Sequence, residues 1–374
     1  MPGSAPVVEE VRSARDLDAF IELPYTLYRG DPHFVPPLRY DVRLRLDRRR
    51  HPYYRFADAA LFLVRRRGEV IGRIGATVNT RHNEYHAERT AFFGFFECVR
   101  EFEAARALFD AAAAWARARG MNVLRGPASF SLNDECGLLV RGFDGPPTFM
   151  MPYNPPWYAD LVEGYGFVKA MDLLAWRMAQ ESADLERFFR VARKVRERDG
   201  LETRIFDVKR FDAEIRKLQD LYADAWQSNW GFVPMTDAEF DFMGRQLRPV
   251  LVPEYCTFAM KDGREIGFVL ALPDFNRVIA KLNGRLFPFG FLRLLASKRR
   301  IPFARILTLG VRRETQGRGY DAVLLDAVTT ALLKGGISRG EMSWMLETNE
   351  VMNNTLRRTG GEAYRVYRLY DAPL

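Results

Sequence analysis

The residues best suited to chemistry lie in the segment Gln316–Asp321, which reads Gln-Gly-Arg-Gly-Tyr-Asp. An apolar stretch ending at Val311 precedes it, and an apolar pattern with helical spacing follows from Ala322, which predicts a strand, a polar turn and a helix. The first N–H groups of a helix lack intrahelical partners, and the helix dipole is positive there. Because glycines let the backbone come close to an anion, the segment predicts a pyrophosphate-binding loop.

A second group of polar side chains stands between apolar segments of the first half, in Ser-Leu-Asn-Asp-Glu-Cys-Gly at 131–137. Loops on a rigid scaffold often carry function, so Asp134 and Glu135 are candidates for proton transfer. A turn in which both only cap the backbone is the alternative. His82 and His86 are spaced i, i+4 without an HExxH frame, so we predict surface histidines and no metal site.

Composition limits the classes of protein that the chain can belong to. With 374 residues, 48% apolar and 28% charged, it suits two globular domains. A net charge of +8 favours anionic partners such as nucleic acid, anionic lipid or a phosphorylated cofactor. Three widely spaced cysteines predict neither a disulfide framework nor a zinc site. Without a leader pattern or a long apolar run, a cytoplasmic location is expected.

The two halves of the chain repeat one order of elements. Each has a hairpin with a charged, glycine-containing turn, at 60–78 and again at 257–272, followed by a strand, a helix, a strand, a short helix and a last strand. This duplicated β-β-β-α-β-α-β order predicts an α/β fold with mixed sheets flanked by helices. The polar stretch 179–184 marks the boundary, which gives domains of 1–180 and 181–374.

The glycine loop resembles the acyl-CoA motif of the GNAT superfamily, Q/R-x-x-G-x-G/A, through Gln316 and Gly319, and departs from it at Asp321. Residues 349–361 resemble the GNAT ending N-x-x-A-x-x-L-Y-x-K-x-G-F through Asn349 and Gly360. The turn at 97–103 in the first half has no glycine loop. The chain thus resembles the long tandem GNAT-like proteins of bacteria, with a degenerate N-terminal copy, and bacterial ceramide synthases are among the proteins that it resembles.

The resemblance implies an acyl-CoA-dependent N-acyltransferase that acts on a small-molecule or lipid amine, with a sphingoid-type base as one such acceptor. It places pantetheine beside the backbone of Leu309 and Val311, in a gap between the fourth and fifth strands. It assigns the cofactor to Leu309, Val311, Gln316, Gly317, Arg318, Gly319, Tyr320 and Asn349.

The catalytic base is expected near the mouth of that gap. Glu347 is predicted to end the fifth strand and is our first choice, while a surface carboxylate or helix cap is the alternative. Leu356 stands where many GNAT members have the tyrosine that protonates the CoA thiolate. For the substrates, the resemblance and the apolar surroundings point to Tyr153, Asn154, Trp230 and Phe232, with core packing as the alternative for the first two.

Two other classes of function stay open on sequence grounds. A non-catalytic CoA-binding protein is favoured by Leu356 and Asp321. An aminoacyl-tRNA-dependent transferase would fit a tandem GNAT fold with a basic surface, but it needs no CoA loop. No aromatic-basic RNA motif is present, so no nucleic-acid partner is expected.

The segment 276–303 is predicted to separate two strands of the second half, and it contains Leu-Phe-Pro-Phe-Gly-Phe-Leu-Arg-Leu-Leu at 286–295. An apolar, phenylalanine-rich run bordered by cations is typical of an interfacial lipid contact, so residues 281–300 are predicted to touch the inner face of an anionic membrane. A lid over a long acyl chain and a buried helix-turn element are the alternatives. The flanking cations are Lys281, Arg285, Lys298, Arg299 and Arg300.

Overall fold

The structure is a computed structural model that describes residues 5–181 and 184–374, which fold into two compact units. Unit 1 holds the described residues of 1–173, 282–286 and 365–374, and unit 2 those of 174–281 and 287–364. The strands are β1 Val7–Glu10, β2 Ala57–Arg66, β3 Glu69–Asn79, β4 Thr90–Cys98, β5 Val123–Gly126, β6 Ala128–Ser129, β7 Glu135–Cys136, β8 Leu138–Arg141, β9 Val168–Ala179, β10 Glu202–Ile205, β11 Cys256–Lys261, β12 Arg264–Pro273, β13 Phe303–Val311, β14 Arg339–Leu346 and β15 Glu362–Pro373. The helices are α1 Ala14–Leu27, α2 Arg39–Leu46, α3 Thr80–His86, α4 Phe102–Arg117, α5 Tyr158–Tyr165, α6 Leu185–Asp199, α7 Phe211–Trp226, α8 Asp237–Leu247, α9 Asn276–Ile279, α10 Gly290–Ser297, α11 Tyr320–Lys334 and α12 Glu350–Arg358.

Unit 1 is built on a mixed sheet. Strands β1 to β4 pair antiparallel in chain order, and β5 pairs parallel with β4. Residues 370–373 of β15 pair antiparallel with β5, and residues 366–368 pair antiparallel with β8. Helix α4 covers the sheet, because Leu108 and Phe109 share its apolar face and are fully buried against Ile74 and Phe93.

The gap between β4 and β5 is filled by the chain itself. These strands pair only from Thr90 to Phe92 on the β4 side, although β4 runs on to Cys98. Beyond that point β6 lies against β4, and a Cβ atom on Gly94 would come within 2.0 Å of the Ala128 carbonyl oxygen. The N–H of Phe95 donates to Ser129 Oγ at 3.1 Å. No room is left there for a ligand between the strands.

The turn that follows β4 also lacks the features of an anion site. Glu101 occupies the N-cap of α4, where its carboxylate forms an ion pair with Arg66 at 2.6 Å. A carboxylate at a helix N-terminus repels phosphate rather than binding it. The predicted degenerate character of the N-terminal copy therefore agrees with both its turn and its filled gap.

Unit 2 is also built on paired strands of mixed direction. Strands β10 to β13 pair antiparallel, β14 pairs parallel with β13, and residues 174–179 of β9 lie beside β14. Helices α6 and α11 pack on one face, where Val323, Leu324 and Val328 of α11 are fully buried. Helix α7 covers the other face. Gly310 permits this approach, because a Cβ atom there would come within 2.2 Å of the Trp226 ring.

The order of elements confirms the predicted α/β duplication. It is β2-β3-β4-α4-β5-α5-β9 in the first half and β11-β12-β13-α11-β14-α12-β15 in the second. The predicted boundary stretch 179–184 includes Ser182 and Ala183, which lie outside the described residues. Sequence reasoning missed the unit membership of the last strands: residues 174–179 belong to unit 2, and residues 365–373 belong to unit 1.

Candidate active site

Strands β13 and β14 of unit 2 separate part-way along their length. They pair in parallel register from Phe303 opposite Arg339 to Ile306 opposite Met342, and the pairing ends there. Both strands nevertheless continue, to Val311 and to Leu346. Several side chains beyond the last pair are half-buried, as expected for the walls of an open cleft. On the two strands these are Leu307, Thr308, Leu309, Trp344, Met345 and Leu346.

A β-bulge shapes the wall that β13 contributes. Strand β12 pairs Leu270 with Thr308 but Ala271 with Ile306, so Leu307 is an extra residue without an opposite partner. A bulge bends its strand and redirects the groups beside it. From Thr308 to Val311, β13 pairs with β12 on one edge and faces the gap with the other. The predicted contacts Leu309 and Val311 lie on this stretch.

Two buried polar atoms near the gap have no hydrogen-bond partner among the described residues. They are Thr308 Oγ1 and Trp344 Nε1, one on each strand. A buried polar group without a partner costs about 1–3 kcal/mol, so such groups commonly mark a place where a ligand or water completes the bonding. An extended ligand with several amide groups, such as pantetheine, fits this lining.

The predicted phosphate loop follows β13 directly. A 3-10 turn at Arg313–Thr315 leads to Gln316, and Gly319 is the N-cap of α11. Gly317 and Gly319 have φ angles of +77° and +83°, a region that residues with a Cβ atom rarely adopt. Because Gly319 has no side chain, the N–H of Tyr320 at the first position of α11 is left for an anion.

Side chains around the loop fix its backbone. Gln316 Nε2 donates to the carbonyl oxygens of Ala225 (3.3 Å) and Val311 (3.5 Å), and Arg198 Nη2 donates to the Arg318 carbonyl (3.1 Å). Of the predicted phosphate contacts, Gln316 therefore holds the loop in shape in this structure, while the side chain of Arg318 is exposed.

Tyr320, the last predicted contact of the loop, is almost fully buried. Its hydroxyl accepts a hydrogen bond from Lys261 Nζ at 3.4 Å. Its contribution to an anion site is therefore its backbone N–H at the first position of α11. The loop offers backbone donors and an exposed arginine, which is the chemistry that a pyrophosphate requires.

We predict that Gly317→Val weakens CoA binding at least about tenfold, whereas Gly336→Val leaves it within about twofold. Gly336 ends the same helix with a φ of +78°, and a Cβ atom at either glycine would meet no atom within 4 Å. Both variants therefore carry the same backbone strain of about 1–2 kcal/mol, but only one alters the loop. Calorimetric titration with CoA measures the difference, and equal affinities would contradict a phosphate role for the loop.

Asp321, the residue that departs from the GNAT motif, lies in the first turn of α11. Burial raises the pKa of its carboxyl group, and the backbone N–H groups of Asp321 and Ala322, which hydrogen-bond to the carboxylate, partly oppose this. The folded state therefore binds the proton more tightly than the unfolded chain. The stability that Asp321 contributes falls as pH rises from its unfolded pKa to its folded pKa.

We expect Asp321→Asn to tighten CoA binding about threefold at neutral pH, because it removes a negative charge near the phosphates while keeping an oxygen that accepts the same N–H groups. The variant should also lose the pH dependence of stability described above. Titrations at two salt concentrations check this, since the gain must shrink as salt screens the charges. Weaker binding by the variant would show that the carboxylate helps to shape the loop.

Glu347 follows the end of β14 and is half-buried. Asn353 fixes the backbone around it, because Asn353 Nδ2 donates to the carbonyls of Leu346 (2.9 Å) and Glu347 (3.4 Å). Asn353 Oδ1 in turn accepts from Trp176 Nε1 at 3.0 Å. Asn349, a predicted cofactor contact, is the N-cap of α12, where its side chain accepts from the Met352 N–H at 3.2 Å.

The other candidate acid–base residues lie in unit 1. Asp134 Oδ2 accepts a hydrogen bond from Ser131 Oγ (2.8 Å), as a turn-stabilising carboxylate would. Glu135 forms an ion pair with Arg45 at 3.2 Å and pairs in register with Ser129 through β6 and β7. Within unit 1, this loop forms a small hairpin of its own.

Two of the predicted substrate contacts also lie in unit 1, and both side chains have partners there. Tyr153 donates its hydroxyl to Asp31 at 2.8 Å. Asn154 is buried and bonded to the backbone, since Oδ1 accepts from the Leu139 N–H (2.7 Å) and Nδ2 donates to the Leu139 and Pro155 carbonyls. In this structure Asn154 thus joins two chain segments.

The remaining two predicted substrate contacts, Trp230 and Phe232, lie between α7 and α8 in unit 2. Phe232 is buried and packs edge-on against Tyr222 at 5.5 Å. Trp230 is half-buried. Both therefore stand in the same unit as the loop and the strand gap.

A charged cluster that sequence reasoning missed lies where β13 and β14 are still paired. Arg305 and Glu341 are opposite each other in register and are each about 1% exposed. Ser343 Oγ joins them, accepting from Arg305 Nε (2.8 Å) and donating to Glu341 Oε1 (2.7 Å), and Tyr364 donates to Glu341 Oε2. The sequence feature that could have revealed this cluster is the presence of oppositely charged residues inside two apolar strands. The cluster fixes the strands just before they separate.

Comparison with known proteins decides the family. The chain is 37% identical over 373 residues to protein YghO of Escherichia coli strain K12, covering 98% of this chain and 95% of that protein. It is 34% identical over 371 residues to the bacterial ceramide synthase of Caulobacter vibrioides, strain NA1000 / CB15N, covering 97% and 96%. Among solved structures it matches, at 14% identity, a tandem GNAT protein from the clavulanic acid biosynthesis pathway, with a TM-score of 0.59 and 98% of both chains covered. The chain belongs to the tandem GNAT acyltransferases.

The fold of this acyltransferase is also that of a GCN5-related N-acetyltransferase from Sphaerobacter thermophilus, at 14% identity, a TM-score of 0.53 and coverage of 98% and 95%. No protein-family model matches the chain. GNAT enzymes use acyl-CoA, and the strand gap followed by a glycine loop in unit 2 fits such a substrate.

The described residues hold neither a metal-binding cluster nor a membrane-spanning helix. Within residues 5–181 and 184–374, no three His, Cys, Asp or Glu side chains are grouped so that they could hold a metal ion. None of the described helices is long and apolar enough to cross a membrane.

Proposed function

We propose that this acyltransferase moves an acyl group from acyl-CoA to an amine. The observation that carries the proposal is the opening between β13 and β14, whose wall at 307–311 leads directly into the glycine loop at 316–320. A pantetheine arm along that strand edge would exchange amide hydrogen bonds with it as a further strand does. The pyrophosphate would then meet the N-terminus of α11.

In the proposed reaction the neutral amine nitrogen attacks the thioester carbonyl carbon. The new C–N bond forms as the C–S bond breaks, so that CoA leaves as a thiolate. Glu347 takes the proton that the nitrogen loses, and return of that proton to the thiolate leaves no net change in protons. Leu356 is 2% exposed in the core of unit 2 and is apolar, so it cannot donate this proton.

The acceptor that we propose is a long-chain amine of the sphingoid-base type. The Caulobacter vibrioides relative, at 34% identity, is named a bacterial ceramide synthase. Four of the six half-buried side chains beyond the last strand pair, Leu307, Leu309, Met345 and Leu346, are aliphatic or thioether side chains. An apolar lining removes alkyl chain from water at about 25 cal/mol per Å² of buried surface, which favours long chains over short ones.

A thiol-release assay tests the proposal. The purified chain is incubated with acetyl-, octanoyl- or palmitoyl-CoA, alone or with a sphingoid base or a short primary amine, and the N-acyl product is identified by mass spectrometry. We expect thiol release and amide product only when both substrates are present, with the highest kcat/KM for the long-chain amine. Retention of CoA without cleavage, or no interaction with any CoA thioester, would overturn the proposal.

A further inference from the structure

Helix α10 and the turn before it expose large apolar side chains in unit 2. Phe289 is 68% exposed and Leu292 61%, and Phe291 is also exposed. Leu294, on the other side of the helix, is buried and holds the helix on the unit. Exposure of several large apolar groups within four residues is unfavourable in water, and a contiguous apolar patch with a polar rim marks an interaction site.

The charges that belong to this segment of the chain all have the same sign. Residues 281–300 contain six lysines and arginines and no acidic residue. Arg299 forms an ion pair with Glu254 at 2.9 Å. Arg293, Lys298 and Arg300 form no ion pair with any described residue, and Arg293 and Arg300 are exposed. The surface thus combines an apolar centre with uncompensated positive charge.

We propose that this surface, formed by Phe289, Phe291, Leu292, Arg293, Lys298 and Arg300, docks on an anionic lipid bilayer. The three apolar side chains enter the interfacial region, and the three cations lie at the level of the lipid phosphates. A second copy of the chain is a poorer occupant, because pairing the surface with itself would bring like charges together. The proposal concerns where the protein binds and does not depend on its acyl-transfer chemistry.

Vesicle flotation tests the docking surface with the full chain. Vesicles of phosphatidylcholine alone are compared with vesicles that also contain phosphatidylglycerol. We expect the wild type to bind the anionic vesicles at least about tenfold more tightly than the neutral ones, and the difference to shrink as salt is added. The double variant Phe289→Asp/Leu292→Asp should lose at least about tenfold in binding to the anionic vesicles.

A matched control separates the surface from net charge. Ile205 and Val208 are also exposed apolar residues of unit 2, at 56% and 46%, and Ile205→Asp/Val208→Asp makes the same change in charge. It should retain binding within about twofold, since neither residue belongs to the surface. Thermal unfolding of both double variants shows that they are folded.

Three outcomes would overturn the proposal. One is equal vesicle binding by the wild type and by Phe289→Asp/Leu292→Asp. Another is an equal loss of binding in the two double variants. The third is a Phe289→Asp/Leu292→Asp variant whose vesicle binding is unchanged but which differs from the wild type in another property. Conversion of a dimer to a monomer would assign the surface to a second copy of the chain. A higher KM for palmitoyl-CoA alone would make the surface a lid over the acyl chain.

Discussion

Replacing Glu347 by glutamine is expected to lower kcat for acyl transfer at least about 100-fold, because glutamine cannot accept the proton that the amine loses. The residue follows the open end of β14, and Asn353 fixes the carbonyls of Leu346 and Glu347, so the side chain starts from a defined position. Glutamine has nearly the same shape as glutamate. The affinity for acyl-CoA should therefore stay within about twofold of the wild type, and thiol release under saturating substrates measures the loss.

Glu350→Gln provides the matched control for this prediction. It makes the same substitution three residues further on, at the exposed first position of α12, and should keep kcat within about twofold. If Glu347→Gln keeps more than a third of the activity, the proposed base is wrong. The loop carboxylates of unit 1 then become the next candidates, through Asp134→Asn and Glu135→Gln.

Glu341→Gln is expected to destabilise the fold by about 3 kcal/mol, since it leaves the buried Arg305 guanidinium without the carboxylate that lies 4.0 Å from its Nε. Both side chains are about 1% exposed, so water cannot replace the lost charge. The amide also cannot accept the hydrogen bonds of both Ser343 and Tyr364 as the carboxylate does. Urea unfolding followed by tryptophan fluorescence gives the free energy.

Two comparisons show whether burial is the cause of that loss. Glu362→Gln removes an ion pair with Arg177 at 2.8 Å, in which the Glu362 side chain is 65% exposed. This substitution should lower the free energy of unfolding by less than about 0.5 kcal/mol. The double variant Arg305→Met/Glu341→Gln should recover part of the loss, because it removes the buried positive charge as well. A cost for Glu341→Gln no larger than that for Glu362→Gln would contradict the assigned role.

The buried ion pair of Arg305 and Glu341 lies beside the place where β13 and β14 separate. Arg305 and Glu341 are paired in register, and the pairing of β13 and β14 ends one residue later. The stabilisation from a buried charge pair depends on good geometry between the two groups, so the pair opposes sliding of one strand along the other. The cluster therefore fixes the register of β13 and β14 next to the point where they separate.

The sequence alone was sufficient for features that depend on local chemistry. Gly317 and Gly319 could be recognised because only glycine adopts a positive φ without strain, and α11 because its apolar residues recur at helical spacing. The repeated order of strands and helices could also be predicted from the spacing of the apolar residues. The GNAT resemblance rested on these local features, and comparison with the solved tandem GNAT structure and with the bacterial ceramide synthase confirmed it.

The tertiary structure decided everything that depends on contacts between distant segments. It filled the gap of unit 1 with Ala128 and Ser129, brought Arg305 opposite Glu341, and assigned residues 365–373 to the sheet of unit 1. It also showed that the side chains of Asn154 and Asn349 form hydrogen bonds with the backbone. Periodicity tells which face of a strand is apolar, but it does not identify the neighbouring strand. That choice depends on the free energy of the whole sheet, in which each edge must find a partner.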